Sequence, residues 1–282
     1  MTGGAFERGK EAAIRERAEP QGCTSNAASA EEADTLPAST PRSERRDGTL
    51  EVALGAWPIS VKRTRPTGAE LAAMYDEAAE RWYDRLAPLG YPRAYEDLFG
   101  RLLAAGTLRS PRNGGRVLDC GIGTAAFSLA LVNNLVTPLL IEGVDLSPSM
   151  LLRACLNLDR AGIENRMHLC DVTELPFEAD TFDAVIGAHL LEHLDDPFAG
   201  LSEMSRVLKP DRPMVVVATR RGIPDALLRI RRRHERIDRD RLELGMEEAG
   251  LTGIRAYQLL AGGPLASRTS FACVGSKEAV SL

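Results

Sequence analysis

Three strand-like runs end in a carboxylate: Asp119 after Val117-Leu118, Asp145 after Gly143-Val144, and Asp171 after Leu169-Cys170. Asp119 leads into the loop Cys120-Gly121-Ile122-Gly123-Thr124-Ala125-Ala126. Glycines at such a turn permit positive φ and let a ligand approach the backbone. The helix start beyond it offers unpaired N–H groups and positive potential to an anion. Taken alone the loop is ambiguous, because Gly121-x-Gly123-x-x-Ala126 also fits a dinucleotide fingerprint. Asp119 tips the balance: it would face and repel a pyrophosphate, and it suits an ammonium group such as that of a methionine moiety. Asp145 can accept hydrogen bonds from ribose hydroxyls. Ser147-Pro148 supplies the cap and first residue of the next helix, which leaves Asp145 for a ligand. Asp171 can accept from an adenine amino group while Val172 packs on the ring.

A second cluster is Phe182-Asp183-Ala184-Val185-Ile186 followed by Gly187-Ala188-His189-Leu190-Leu191-Glu192-His193. His189-x-x-Glu192-His193 matches the H-x-x-E-H arrangement of zinc peptidases. Here it follows a strand rather than lying inside a long helix, and no third ligand is evident, so no metal is assigned. His193 reads as a packed helix residue or a base facing a substrate. A third feature is a run of arginines from Arg220 to Arg241 with Asp225, Glu235, Asp238 and Asp240 interspersed. It reads as a solvated helix face, or as a lid (residues 220–240) touching an anionic substrate, a lipid headgroup or a membrane surface.

The elements that must position these residues follow from periodicity. Strands of buried type at 116–121, 139–147, 165–172, 181–189 and 213–220 alternate with helices at 125–136, 148–162 and 199–208, the pattern of βαβ units and a parallel sheet. A helix at 239–249 then precedes two runs, 253–261 and 267–277, which Gly262-Gly263-Pro264 can turn into an antiparallel pair. Upstream, Leu71, Met74, Tyr75, Ala78, Trp82 and Leu86 recur at helical steps, and a second helix covers 94–105. Residues 49–111 read as an N-terminal helical cap and 112–282 as the main domain. Residues 1–48 are poor in large apolar side chains and read as a disordered tail.

The 282 residues, 44% of them hydrophobic, suffice for one sizeable core filled mainly by aliphatic side chains, since aromatics are 5%. A net charge of −5 argues against nucleic acid as a partner. Five cysteines without C-x-x-C spacing fit buried reduced thiols better than disulfides or zinc. No run has membrane-spanning length and the N-terminus lacks a secretory signal pattern, so the expected compartment is cytoplasmic.

With the motifs assembled, residues 70–276 closely resemble the class I S-adenosylmethionine (SAM)-dependent methyltransferases, in particular the small-molecule group that includes ubiquinone-biosynthesis-type enzymes. The resemblance rests on the acid and glycine loop, the acids after strands two and three, Phe182-Asp183-x-Val185, Leu191-Glu192-His193, and Leu208-Lys209-Pro210 in order. Asp211-Arg212 and Ala125 replace family glycines, with little functional cost expected. The resemblance implies a Rossmann-like α/β fold whose seven strands run 3-2-1-4-5-7-6 with strand seven antiparallel. It implies SAM as cofactor, with Asp119 on the ammonium, Gly121 and Gly123 admitting the sulfonium region, and Asp145 on the ribose. Leu146 and Val172 would sandwich the adenine and Asp171 take its amino group. Met150, Ala188 and Tyr75 complete the set, with Tyr75 and Trp82 closing the cleft. His189 or His193 is the candidate base. The implied reaction is methyl transfer to O or N of a small molecule. A phospholipid headgroup acceptor, a nicotinamide-dependent oxidoreductase and a catalytically silent methyltransferase-like protein stay open as alternatives.

Overall fold

The computed structural model describes residues 49–54, 57–62, 89–111, 113–220 and 237–279. The tail, the helix carrying Tyr75 and Trp82, and the arginine run between 221 and 236 lie outside the described residues. Residues expected to open a helical cap instead form two strands, β1 (Thr49–Leu54) and β2 (Trp57–Lys62), paired antiparallel. The helix expected at 94–105 starts earlier, as α1 (Tyr91–Ala104), with Pro92 in its first turn. Proline is tolerated there because that N–H has no intrahelical partner.

From β3 (Gly115–Cys120) onward the chain alternates as its periodicity dictates. It runs through α2 (Ala126–Val132), β4 (Leu139–Asp145), α3 (Pro148–Arg160), β5 (Glu164–Leu169), β6 (Ala184–Ala188), α4 (Pro197–Val207) and β7 (Pro213–Thr219). It ends with α5 (Arg239–Glu248), β8 (Leu251–Gln258), α6 (Pro264–Thr269) and β9 (Ser270–Lys277). The seven-stranded sheet has the order β5-β4-β3-β6-β7-β9-β8. β3 to β7 are parallel and β9 is antiparallel to both neighbours. Counted within the sheet, that is the expected 3-2-1-4-5-7-6. One expectation fails locally: residues 267–269, expected to open the last strand, end the helix Pro264–Thr269 instead.

Because successive strand residues face opposite sides, the sheet divides its core in two. Val117, Ile141, Ile186 and Val215 meet α1, α2 and α3 through Leu98, Phe99, Leu131 and Leu158. Leu118, Val144, Val185 and Val216 meet α4 and α5 through Leu201, Met204, Leu242 and Met246. The turn after α4 lacks glycine, and Asp211 adopts φ 57 in its place. Aspartate is among the residues that accept this left-handed conformation.

One buried ionic group interrupts the second face. Glu142 is 2% exposed, with Oε1 at 2.8 Å from Arg116 Nε and Oε2 at 3.0 Å from His168 Nε2. Burial opposes its ionisation, but the His168 and Arg116 hydrogen bonds outweigh burial and hold the carboxyl below its usual range. A depressed acid stabilises the fold above its unfolded pKa and loses that contribution as pH falls through the folded one. Glu142→Gln should therefore cost about 1–2 kcal/mol at pH 7, a figure discounted because the Arg116 side chain is 39% exposed. The cost should shrink below pH 4, as thermal melts at pH 7 and pH 3.5 would read.

Candidate functional site

The carboxyl ends of β3, β4, β5 and β6 lie side by side, which gathers most of the residues singled out above. The turn after β3 is built from left-handed backbone at Gly121 (φ 66), Gly123 (φ 52) and Ala125 (φ 63). Ala125 holds, at a cost of about 1 kcal/mol, a conformation that glycine takes freely. The turn lies flat on the sheet because β4 offers Gly143 beneath it: a Cβ there would stand 2.5 Å from Ile122 Cδ1. Gly121 is crowded from the other side, where an added Cβ would stand 2.9 Å from Leu190 Cδ1.

Asp119 is 1% exposed and accepts a 2.6 Å hydrogen bond from Ser128 Oγ. Burial pushes its carboxyl up to about 7, Ser128 pulls it down through its hydroxyl and backbone, and the Asp145 charge adds to the rise. Asp145 is not left clear of the chain as its sequence context suggests. Its Oδ2 accepts the Gly123 N–H and its Oδ1 the Ser147 N–H, both at 3.0 Å. The cap is as expected, with Ser147 Oγ accepting from Met150 N at 3.1 Å. Asp145 thus ties the turn after β3 to the turn after β4.

Leu146 is half-buried and Met150 fully buried. Asp171 is exposed, and its Oδ1 accepts both the N–H and the hydroxyl of Thr173 at 2.9 and 2.8 Å. Val172 is 4% exposed within the core beside α4. Cys120 is buried, and burial together with Asp119 and Cys170 raises its thiol well above its usual pKa, the state of an inert filler.

β6 ends at half-buried Ala188, and His189 follows with φ 55 and its N–H donated to Val217 O at 2.8 Å. Glu192 and His193 sit on a short 3₁₀ turn, Leu191–His193, not on a long helix. His189 packs edge-on against Tyr91, with ring centroids 5.3 Å apart, and Tyr95 lies 6.5 Å away. Burial, Tyr91, Glu192 and Asp119 keep the Tyr95 phenol well above its usual pKa.

Five of these residues escape the sequence patterns. Tyr91 and Tyr95 form the aromatic wall on the near side of α1, one helical turn apart. Ser128 reaches Asp119 from the next helix, Thr124 brings a buried hydroxyl, and Thr219 holds Glu192. Among the described residues no group of three or more His, Cys, Asp or Glu side chains, His189, Glu192 and His193 included, is placed to hold a metal. A separate groove of about 640 Å³ lined by Arg116, Leu139, Glu164 and Arg166 opens at the amino ends of β3 to β5, the wrong end of the sheet for these carboxylates.

A sequence model described as a methyltransferase domain matches residues 117–211, the stretch from β3 through the turn after α4. A phosphatidylethanolamine N-methyltransferase of Cereibacter sphaeroides is 32% identical over 147 residues, 50% of this chain and 68% of that one. The chain belongs to the class I SAM-dependent methyltransferases. A ubiquinone/menaquinone biosynthesis C-methyltransferase of Citrifermentans bemidjiense is 28% identical over 53% of this chain and 63% of its own. Among solved structures, a SAM-dependent methyltransferase from Aquifex aeolicus shares the fold at TM-score 0.52 and 17% identity, covering 75% of this chain and 98% of that one. The methyltransferase fold therefore extends on both sides of the sequence-matched domain. No helix among the described residues is long and apolar enough to cross a membrane.

Proposed function

We propose that this chain transfers a methyl group from SAM to an oxygen or nitrogen of a small-molecule acceptor. The observation that carries the proposal is Asp119, a carboxylate 1% exposed at the foot of a glycine turn, whose side-chain hydrogen-bond partner is a hydroxyl and which feels the charge of another carboxylate, Asp145. Such a site repels a pyrophosphate and calls for a cation. The cradle fits SAM on a second count: the Thr124 hydroxyl is buried with no hydrogen-bond partner, a polar atom left for a ligand. On this proposal Asp119 faces the ammonium, Gly121 and Gly123 give backbone access, Asp145 holds the ribose, Asp171 the adenine amino group, and Leu146, Met150, Val172 and Ala188 border the nucleoside. SAM, when bound, supplies a sulfonium methyl that is reactive without further activation. The chain's residues orient the acceptor in line with that methyl and exclude water. Tyr91 and Tyr95 give the acceptor side an aromatic wall.

The similarity to a phosphatidylethanolamine N-methyltransferase supports a second acceptor class, a lipid amine headgroup. The arginine run from Arg220 to Arg241 would then meet its phosphate or the membrane surface. Incubating the purified full chain with methyl-labelled SAM and with separate metabolite and lipid extracts tests both. Label in a water-soluble product supports the first acceptor class, and label in a lipid moves the assignment to the second. Calorimetry that detects no S-adenosylhomocysteine binding but does detect NADH would replace both with an oxidoreductase.

A further inference from the structure

Among the described residues, two buried side-chain atoms besides Thr124 Oγ1 have no hydrogen-bond partner: His189 Nε2 and Glu192 Oε2. They belong to one unit. Glu192 Oε1 accepts the Thr219 N–H at 2.6 Å and lies 3.3 Å from His189 Nδ1, and Thr219 Oγ1 lies 3.0 Å from the same nitrogen. Burial alone would keep Glu192 protonated, but the His189 hydrogen bond, the charges of His189 and His193 and its own backbone amide bring it down to about 2. An ionised carboxylate only accepts, so Nδ1 must present a hydrogen to it, and the Thr219 hydroxyl adapts to either partner. In a neutral imidazole the lone pair then sits on Nε2, the unpartnered atom. A flip of the ring would put Cδ2 in place of Nδ1 and lose both Nδ1 contacts. His189 also holds φ 55, and strain of this kind concentrates at working sites. The imidazole side chain keeps 24% exposure through its other atoms, while Nε2 itself is buried and faces no protein partner.

We propose that Glu192 is a positioning residue that fixes His189 as its Nδ1–H tautomer, so that Nε2 takes a proton from the methyl acceptor. The inference rests on the methyltransferase assignment and narrows it: the reacting atom of the acceptor carries a proton that it loses. That includes a phenol or enol O–H and a protonated amine, and excludes a tertiary amine. As the acceptor's X–H bond breaks, its proton goes to Nε2. The X–CH₃ bond forms as the S–CH₃ bond breaks, and that electron pair stays on sulfur. His193 adds to the field on Glu192, but its ring has no such fixed tautomer.

The groups facing the imidazole are Glu192 and His193 on its own loop, Tyr91 and Tyr95 on α1, and Asp119 on β3 through Tyr95. Arg220, next to Thr219, turns instead to Ser270 O at 3.1 Å and to the Phe271 ring. Ring nitrogen NMR on the full chain with ¹⁵N-histidine, assigned with His189→Gln, tests the unit without any acceptor. Neutral His189 should carry its hydrogen on Nδ1. In Glu192→Gln the Nε2–H tautomer should gain at least tenfold over Nδ1–H. Mainly Nε2–H imidazole in the wild type, or a tautomer ratio in the variant within twofold of the wild type, overturns the proposal. If the variant does not fold, the wild-type tautomer decides alone. S-adenosylhomocysteine calorimetry on the same sample separates this failure from failure of the methyltransferase assignment. With an acceptor found by the label screen, Glu192→Gln should lower kcat at least tenfold and leave KM for SAM within twofold. A matching rise in KM would indicate a structural role only.

Discussion

Asp119→Asn should make the ligand-free protein more stable at pH 8 and at the same time weaken S-adenosylhomocysteine binding by about 10–100-fold. Both effects come from one buried charge. The Asp119 carboxyl is pushed up to about 7 because burial disfavours its ionised form, and Ser128 compensates only in part. An acid whose folded pKa is raised holds its proton longer in the native state than in the unfolded chain. The native state therefore loses stability as pH climbs from the ordinary carboxylate range to about 7, and the whole cost is present above that. Asparagine keeps an acceptor for Ser128 and carries no charge, so it should recover about 1–3 kcal/mol at pH 8 and little at pH 5. Binding runs the other way. The methionine-derived ammonium of S-adenosylhomocysteine favours ionised Asp119, so wild-type affinity should rise with pH up to about 7, by at most tenfold per unit, with a proton released. Asparagine should flatten that dependence. Melts at pH 5 and pH 8, with calorimetry in buffers of different ionisation enthalpy, read both. A melting shift of equal size at the two pH values, or a wild-type affinity indifferent to pH, would sink the role given to Asp119.

The parallel βαβ half was legible because apolar strand runs alternate with helices of regular period, whereas the strand order followed only from the family resemblance. Two misreadings have specific causes. The expected helix starts at Ala94, whereas α1 begins at Tyr91 with Pro92 in its first turn, where proline is tolerated. That choice removed Tyr91 from the helix and from the site. Residues 267–269 were given to the last strand because Gly262-Gly263-Pro264 reads as the turn before it. In the fold Gly262 serves a tertiary contact instead: a Cβ on it would stand 2.0 Å from Gly90 O, so the connection before α6 rests directly on the entrance to α1. A contact between residues 172 positions apart leaves no local trace.

In the site, single residues were readable and their partners were not. Asp119, Gly121, Gly123 and Asp145 stand out because strand ends and glycine turns are local patterns. Ser128 is an ordinary helix serine by sequence. Its importance arises only because α2 folds back on β3 and brings its hydroxyl to 2.6 Å from Asp119. Glu192 was legible as part of a metal-like spacing and of the family motif Leu191-Glu192-His193, without a role of its own. Its partner, the Thr219 amide, comes from β7, and the parallel pairing of β6 with β7 brings the two together. The aromatic wall was sought at Tyr75 and Trp82, outside the described residues, while Tyr91 and Tyr95 meet His189 directly.

Asp145→Ala should lower S-adenosylhomocysteine affinity by about 100-fold or more. Two hydrogen bonds from ribose hydroxyls to a charged acceptor contribute about 1.5–3 kcal/mol each. Asp145 also holds the Gly123 and Ser147 amides at 3.0 Å, so the alanine variant loosens the glycine turn as well. A single affinity cannot separate the two losses, but a double-mutant cycle can. Wild type and variant are each titrated with S-adenosylhomocysteine and with its 2′,3′-dideoxy analogue. If the carboxylate holds the ribose, the wild type should lose about 100-fold on removal of the hydroxyls and the alanine variant less than about threefold. If Asp145 only braces the turn, the hydroxyls should matter equally to both proteins and the two losses should simply add. Additive losses would remove Asp145 from the nucleoside site and leave it as the tie between two loops.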